Sequence, residues 1–331
     1  MLSPFAIKQL IRYFDSIDRA VVSPMVGKRP KDEEYLTELL IDLLDEEVGV
    51  DVRLDFPLHE LRATLSNAGD PLDVSFSLET HKHPKKYENL VSQADIGLIV
   101  RYQNYYEPSQ SGQRSWLLQA KRLFPDSLSP LRYSTISTFK SKTPKQQIRI
   151  EDLAKFINLD SFRYLLYCPR PNTLDADVAK ELAYHRNKAV VGHIYDYAYG
   201  QALYDEVAAG GTSIGAGIFV ANHKHTPANL GQVHSQVMRS TMPLSWFLLQ
   251  HIPHEGRLNP DSYEDEHLLR DEESDIVSKI ACGDPEVVDI IASNLGGGEA
   301  WNGTWLPHAT MTITMSIGTR SDRPNWNRRA P

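Results

Sequence analysis

The chain has 331 residues, 41% of them apolar and 24% charged, with a formal net charge of −8. These proportions exclude a disordered or collagen-like chain and leave room for a large core. Two cysteines, Cys168 and Cys282, stand far apart without CxxC spacing, which gives no basis for a disulfide framework or a zinc site.

A reducing cytoplasm is therefore the expected compartment, and the lack of a long uncharged run gives no expectation of a signal peptide or membrane span. The net charge argues against nucleic-acid binding, but its distribution does not. Residues 1–170 hold 23 Lys+Arg against 23 Asp+Glu, so the remaining 12 and 20 carry the whole excess. Residues 121–149 have seven basic side chains and one acidic, whereas 255–276 have nine acidic and two basic. A basic strip within a neutral segment suits phosphate contact; solvated loops also collect lysines.

In chain order, Ser3-Pro4 opens a helix, with serine at the N-cap and proline at the first helical position. Ile7, Leu10, Ile11, Phe14 and Ile17 follow at helical spacing. A basic loop, GKRPK, leads to a second helix beginning near Asp32, with Leu36, Leu39, Leu40, Leu43 and Leu44 as its apolar stripe. Strands are expected at 72–79, 94–102, 115–123 and 162–169, and a helix at 147–156. Two helices follow within 174–208, then the strand GIFVA and a helix from Ser245. The late run ATMTITMSIG alternates like a strand but stands alone. The order implies an α/β fold. Its expected divisions are a core over 1–170, an α/β extension packed on it over 171–254, and an acidic, flexible region over 255–331.

The strand SWLLQAKRL, Ser115–Leu123, carries an anomaly. Gln119 and Lys121 interrupt an apolar run two residues apart, so both project from one face. A lysine there needs its charge compensated. Asp95 opens the preceding apolar strand and has the same need. Glu33 lies on the flank of the second helix's apolar stripe, where it can reach the sheet; Glu34 points further away and is the second choice.

Helix glutamate, strand aspartate, a strand (D/E/Q)-x-K and then a helix is a layout that resembles the PD-(D/E)XK nucleases, the restriction-endonuclease-like superfamily. Glutamine in place of the usual acid makes the chain similar to the branch containing Mrr-type restriction enzymes. The resemblance covers roughly residues 30–170, and departs where Ala94 stands instead of a proline before Asp95. It implies a mixed central sheet flanked by helices; beyond the stretch it covers, the expectation is a helical C-terminal extension. It also implies metal-dependent endonucleolytic hydrolysis of DNA in bacterial restriction or anti-phage defence. Mg²⁺, or Mn²⁺, would be held by Glu33, Asp95, the Gln119 amide oxygen and the Ala120 carbonyl. Lys121 would align the attacking water, and Arg122, Lys140, Lys142 and Lys145 would meet the nucleic acid. The implied partner is double-stranded DNA, with self-association or a defence-system protein as further possibilities.

Two other readings stay open: an RNase, and a nuclease-like subunit that binds nucleic acid without cutting. Remaining motifs are weaker. His81-Lys82-His83 and His223-Lys224-His225 have strand spacing for two metal-facing imidazoles but lack further ligands. GGTSIGAG lacks the Lys-Ser/Thr of a phosphate loop and reads as a turn.

Overall fold

A computed structural model describes residues 2–49, 51–67, 74–82, 94–128, 131–139, 157, 159–191, 197–208, 213–251, 272–282, 284, 287 and 307–318. Lys140, Lys142, Lys145, the helix expected at 147–156 and residues 255–271 of the acidic run lie outside the described residues.

Helix α1, Pro4–Val22, starts as its sequence dictates: the Ser3 hydroxyl accepts from the Ala6 N–H at 3.2 Å. A short turn and the basic loop lead to α2, Glu33–Leu43, capped by the Asp32 carboxylate on the Tyr35 N–H at 3.0 Å. Its buried stripe of Leu36, Leu39, Leu40 and Leu43 leaves Glu33 at the edge of the packed face. Helix α3, Leu58–Asn67, buries Leu61 and Leu65 and was not anticipated.

Strands β1 (Val74–Lys82), β2 (Ile96–Asn104), β3 (Gly112–Arg122), the short β4 (Ser127–Leu128) and β5 (Leu131–Arg132), and β6 (Phe162–Tyr167) follow. Then come α4 (Ala176–Val190), α5 (Tyr197–Ala208), β7 (Ile218–Asn222), α6 (Leu230–Ser235), β8 (Thr241–Pro243), α7 (Leu244–Gln250), α8 (Glu272–Cys282) and β9 (Ala309–Ile317). Seven strands form one mixed sheet in the order β1-β9-β2-β3-β6-β7-β8, while β4 and β5 pair as a separate hairpin. Within the sheet β9–β2 and β3–β6 are parallel and the other neighbours antiparallel.

The late alternating run does not stand alone. As β9 it lies between β1 and β2, and nearly all its residues are buried. The segment 255–331, expected to be flexible, thus supplies a central strand and a packed helix. The segment 171–254 is mixed α/β, and its strands β7 and β8 continue the sheet beyond β6, so the C-terminal extension is not helical alone.

Helices cover both faces. Gly97 on β2 meets α8 so closely that an added Cβ would stand 2.7 Å from the Ala281 Cβ. On the opposite face Trp116 packs edge-on to Phe247 of α7, with ring centroids 5.0 Å apart, and α7 packs on α1. Among the described residues no helix is long and apolar enough to cross a membrane.

Candidate active site

Strand β3 outlasts its neighbour. Its last pair with β2 is Ile96↔Leu118, whereas on its other edge it stays paired with β6 as far as Arg122↔Tyr167. Residues 119–122 are therefore anchored on one side and lack β2 on the other. In an extended strand a residue's N–H and C=O leave by the same edge, so buried donors on that edge need partners.

Two carboxylates supply them. Asp95, just before β2, donates its N–H to the Leu118 carbonyl at 2.8 Å, which fixes its backbone. Its Oδ2 accepts from the Ala120 N–H at 2.7 Å and from the Gln119 amide at 2.5 Å. One ladder step further, Oε2 of Glu33 accepts from the Arg122 N–H at 2.7 Å. The Ala120 carbonyl leaves by the same edge as its N–H and so faces the Asp95 side. Glu33, Asp95, Gln119 and Ala120 are thus brought together by α2, the start of β2 and the end of β3. Glu34 is exposed, and it is Glu33 that reaches the strand.

Lys121 shares the pleat face of Gln119. It is half-buried, and among the described residues it forms no ion pair with Asp95, Glu33 or any other carboxylate. The ammonium expected against these carboxylates instead stands apart from them. Gln119 is 6% exposed and presents its NH₂ to Asp95, so its oxygen is turned away. An ion beside Asp95 would require the amide to turn over, a motion about a soft terminal torsion.

The floor was not anticipated from sequence. Tyr167, the last residue of β6, is fully buried and donates its hydroxyl to Thr37 Oγ1 at 3.2 Å. Thr37 in turn donates to the Glu33 carbonyl at 2.9 Å. Burial pushes the Tyr167 hydroxyl far above its ordinary range; the Thr37 contact opposes this, and the negative charge of Asp95 and Glu33 adds to it. It remains a neutral phenol. Thr37 is four residues after Glu33, a spacing that marks it as a neighbour, but Tyr167 sits in an apolar run that reads as core.

Arg122 has a buried side chain whose Nε finds no hydrogen-bond partner among the described residues. Its guanidinium lies 5.6 Å from the Phe124 ring centroid. It also lies beside the Tyr133 hydroxyl, partly offsetting the upward push that burial gives that phenol.

Two further charged clusters escaped sequence reasoning. Buried Asp15 and Asp18 on α1 accept from Arg170 at 2.8 and 2.5 Å, and Asp18 also takes the Gly217 and Ile218 N–H groups. On the flank of α2, Glu38 accepts from Lys82 at 2.7 Å and contacts His308, and Lys82 also reaches Asp42 at 2.6 Å. His223–His225 form a 3₁₀ turn rather than a strand, so the spacing argument for that pair lapses; His83 lies outside the described residues.

Among the described residues no group of three or more His, Cys, Asp or Glu is placed to hold a metal ion. The donors at the end of β3 are two carboxylates, an amide and a backbone carbonyl. That all-oxygen set fits a hard cation such as Mg²⁺ and not zinc. No family model, no curated protein and no solved structure matches the chain.

Proposed function

We propose that this protein is a metal-dependent nuclease with a restriction-endonuclease-like core. The observation that carries the reading is the open end of β3, where Asp95 and Glu33 take the Ala120 and Arg122 N–H groups on either side of Lys121. The contacts of Asp95 with Gln119 and Ala120, and of Glu33 with the Arg122 N–H, support that reading.

Asp95 and Glu33 would hold Mg²⁺ or Mn²⁺ with the Ala120 carbonyl and, after reorientation, the Gln119 amide oxygen. A metal bound there supplies Lewis-acid neutralisation of phosphoryl oxygens and acidifies a bound water. Glutamine is a weaker ligand than glutamate, so affinity would depend chiefly on the two carboxylates. Lys121 has its ammonium outside any described ion pair. It would set that charge against the phosphoryl oxygens as negative charge develops on them, where a fixed cation is worth most. The neutral Tyr167 and Thr37 floor holds Glu33 without adding a competing charge. Duplex DNA is the proposed substrate, in the restriction or anti-phage setting of the enzymes it resembles.

One observation favours a second reading. The Gln119 NH₂ on Asp95 closes the carboxylate with a hydrogen bond, as befits a nuclease-like subunit that binds without cutting. Incubating the full chain with plasmid, single-stranded DNA and RNA, in Mg²⁺ or EDTA, separates these readings. Cleavage in Mg²⁺ that EDTA abolishes and Asp95→Ala removes supports the nuclease. Binding without cleavage on every substrate supports the second reading.

A further inference from the structure

Two exposed segments meet at the rim of the candidate site. The first is the loop after α1. It is closed by Val26 N–H on the Ser23 carbonyl at 3.3 Å and Lys31 N–H on the Pro24 carbonyl at 3.2 Å. Lys28, Arg29 and Lys31 are all exposed, and among the described residues none pairs with a carboxylate. Lys31 stands two residues ahead of Glu33, with its ammonium 4.7 Å from the Tyr35 ring centroid.

The second is the excursion made by 124–128 and 131–138, which leaves the sheet directly after the Q-x-K strand. Its ends are tied by Phe124 N–H on the Thr138 carbonyl at 2.9 Å and by the Leu123↔Phe139 bridge. Inside it, Asp126 accepts from the Ser134 and Ser137 hydroxyls at 2.5 and 2.6 Å, and β4 pairs with β5. Leu230 and Gly231 N–H groups hold its base through the Ser137 and Thr135 carbonyls. Buried Tyr133 joins the two segments, donating to the Met25 carbonyl at 3.2 Å.

A segment this well tied nevertheless turns large apolar side chains outward. Leu128 is 72% exposed and Ile136 73%. Fixed apolar tips in solvent mark a contact surface when they are grouped. Leu128 pairs across its hairpin with Leu131, next to the exposed Arg132, and the Tyr133–Met25 hydrogen bond ties that hairpin to the turn that precedes Lys28, Arg29 and Lys31. Phosphates complement the cations, and bases complement an aliphatic tip that can press against or between them.

We propose that the loop 27–31 and the segments 124–128 and 131–138 form one nucleic-acid grip on the rim of the site. Lys28, Arg29 and Lys31 hold backbone phosphates, and Leu128 contacts the bases. The inference rests on the nucleic-acid reading above but not on cutting, so it is tested by binding alone. In EDTA, anisotropy of a short labelled duplex is followed across a salt series for the full chain and for Lys28→Gln/Arg29→Gln/Lys31→Gln. The triple variant should bind more weakly at low salt, with the slope of log K against log salt reduced by about 0.9 for each phosphate the variant no longer neutralises.

Leu128→Ser should keep the parent slope while losing the fluorescence rise of a 2-aminopurine placed in the duplex. Both variants change exposed side chains, and unchanged thermal melting verifies that they fold. Equal slopes for parent and triple variant overturn the phosphate grip. A 2-aminopurine signal unchanged by Leu128→Ser overturns the base contact. Failure of the parent to bind at low salt overturns the whole proposal and leaves the rim to a protein partner. Binding with the expected slopes but no cleavage in Mg²⁺ sustains the grip and sinks the nuclease.

Discussion

Two pairs of carboxylates lie at the end of the sheet where β3 and β6 finish, and they are compensated differently. Asp15 and Asp18 are buried on α1 and share the Arg170 guanidinium, and Asp18 also takes the N–H groups that open β7. Burial pushes the Asp18 carboxyl up, Arg170 pulls it down, and the net shift is upward. That pair clamps α1 to the exit of β6 and the entry of β7. The donors described for Glu33 and Asp95 are instead the N–H groups of β3 and the Gln119 amide, and Lys121, between Ala120 and Arg122 on that strand, forms no described ion pair with either carboxylate. Charge neutralised inside the fold is structural. Negative charge set against N–H donors at an open strand end, on a strand that also carries a cation outside any described ion pair, is an arrangement a metal and a phosphate can complete.

The largest expected effect breaks the first pair. Asp18→Ala would leave Arg170 buried with one carboxylate fewer and two backbone N–H groups unmatched, a loss of about 3–5 kcal/mol in stability. Urea denaturation of the parent and the variant measures it. A loss below about 1 kcal/mol, the range of an exposed ion pair, would mean the clamp contributes no more than a surface contact.

Breaking the second pair should show in rate rather than in melting. Lys121→Ala is expected to lose at least ~10²-fold in cleavage, because its charge acts mainly as the transition state develops, while melting stays near the parent value. Asp95→Ala should lose both cleavage and Mg²⁺ binding. Parent-like turnover in Lys121→Ala, under conditions where the parent cuts, would sink the proposed role.

What the sequence made legible follows the same division. Caps act within four residues, so Ser3 and Asp32 marked the starts of α1 and α2 correctly. Gln119 and Lys121 were visible because polar residues are out of place in an apolar run, and Glu33 because helical spacing fixes a flank. The Arg122–Glu33 contact was not visible, since a backbone N–H has no letter in the sequence. Nor was the Asp15–Asp18–Arg170 clamp, whose members are separated by most of the first half of the chain. The alternation of β9 announced a strand, yet nothing local encodes that its partners are β1 and β2. Buried strands are specified by neighbours, and those neighbours come from the opposite end of the sequence.

A sharper comparison comes from adding charge to the second pair. Gln119→Glu places a third carboxylate beside Asp95, and a hard cation binds carboxylate more tightly than amide oxygen. Mg²⁺ affinity should rise by about tenfold, equivalent to ~1.4 kcal/mol. Isothermal titration against the parent and Asp95→Ala measures it. Affinity unchanged in both variants would place any metal elsewhere.

The smallest effect concerns a third arrangement, Glu38 on the flank of α2, where the cation comes from a partly exposed side chain. Burial pushes the Glu38 carboxyl up, but hydrogen bonds from Lys82 and His308 outweigh it, and the net shift is downward. A carboxyl held low in the folded state contributes stability above its unfolded pKa and loses it as pH falls through the folded value. Lys82 is 42% exposed on its side chain, so solvent screens the pair and its contribution stays below about 1 kcal/mol. Lys82→Met should therefore cost a few tenths of a kcal/mol up to about 1 at neutral pH, and nearly nothing at an acid pH below the folded value at which Glu38 takes up its proton. This is opposite in sign to Asp18, whose raised carboxyl gives up stability as pH rises rather than as it falls. Urea titrations of the parent and Lys82→Met at both pH values test it. A cost that persists undiminished in acid would assign the effect to packing of the lysine stem along α2 instead of to charge.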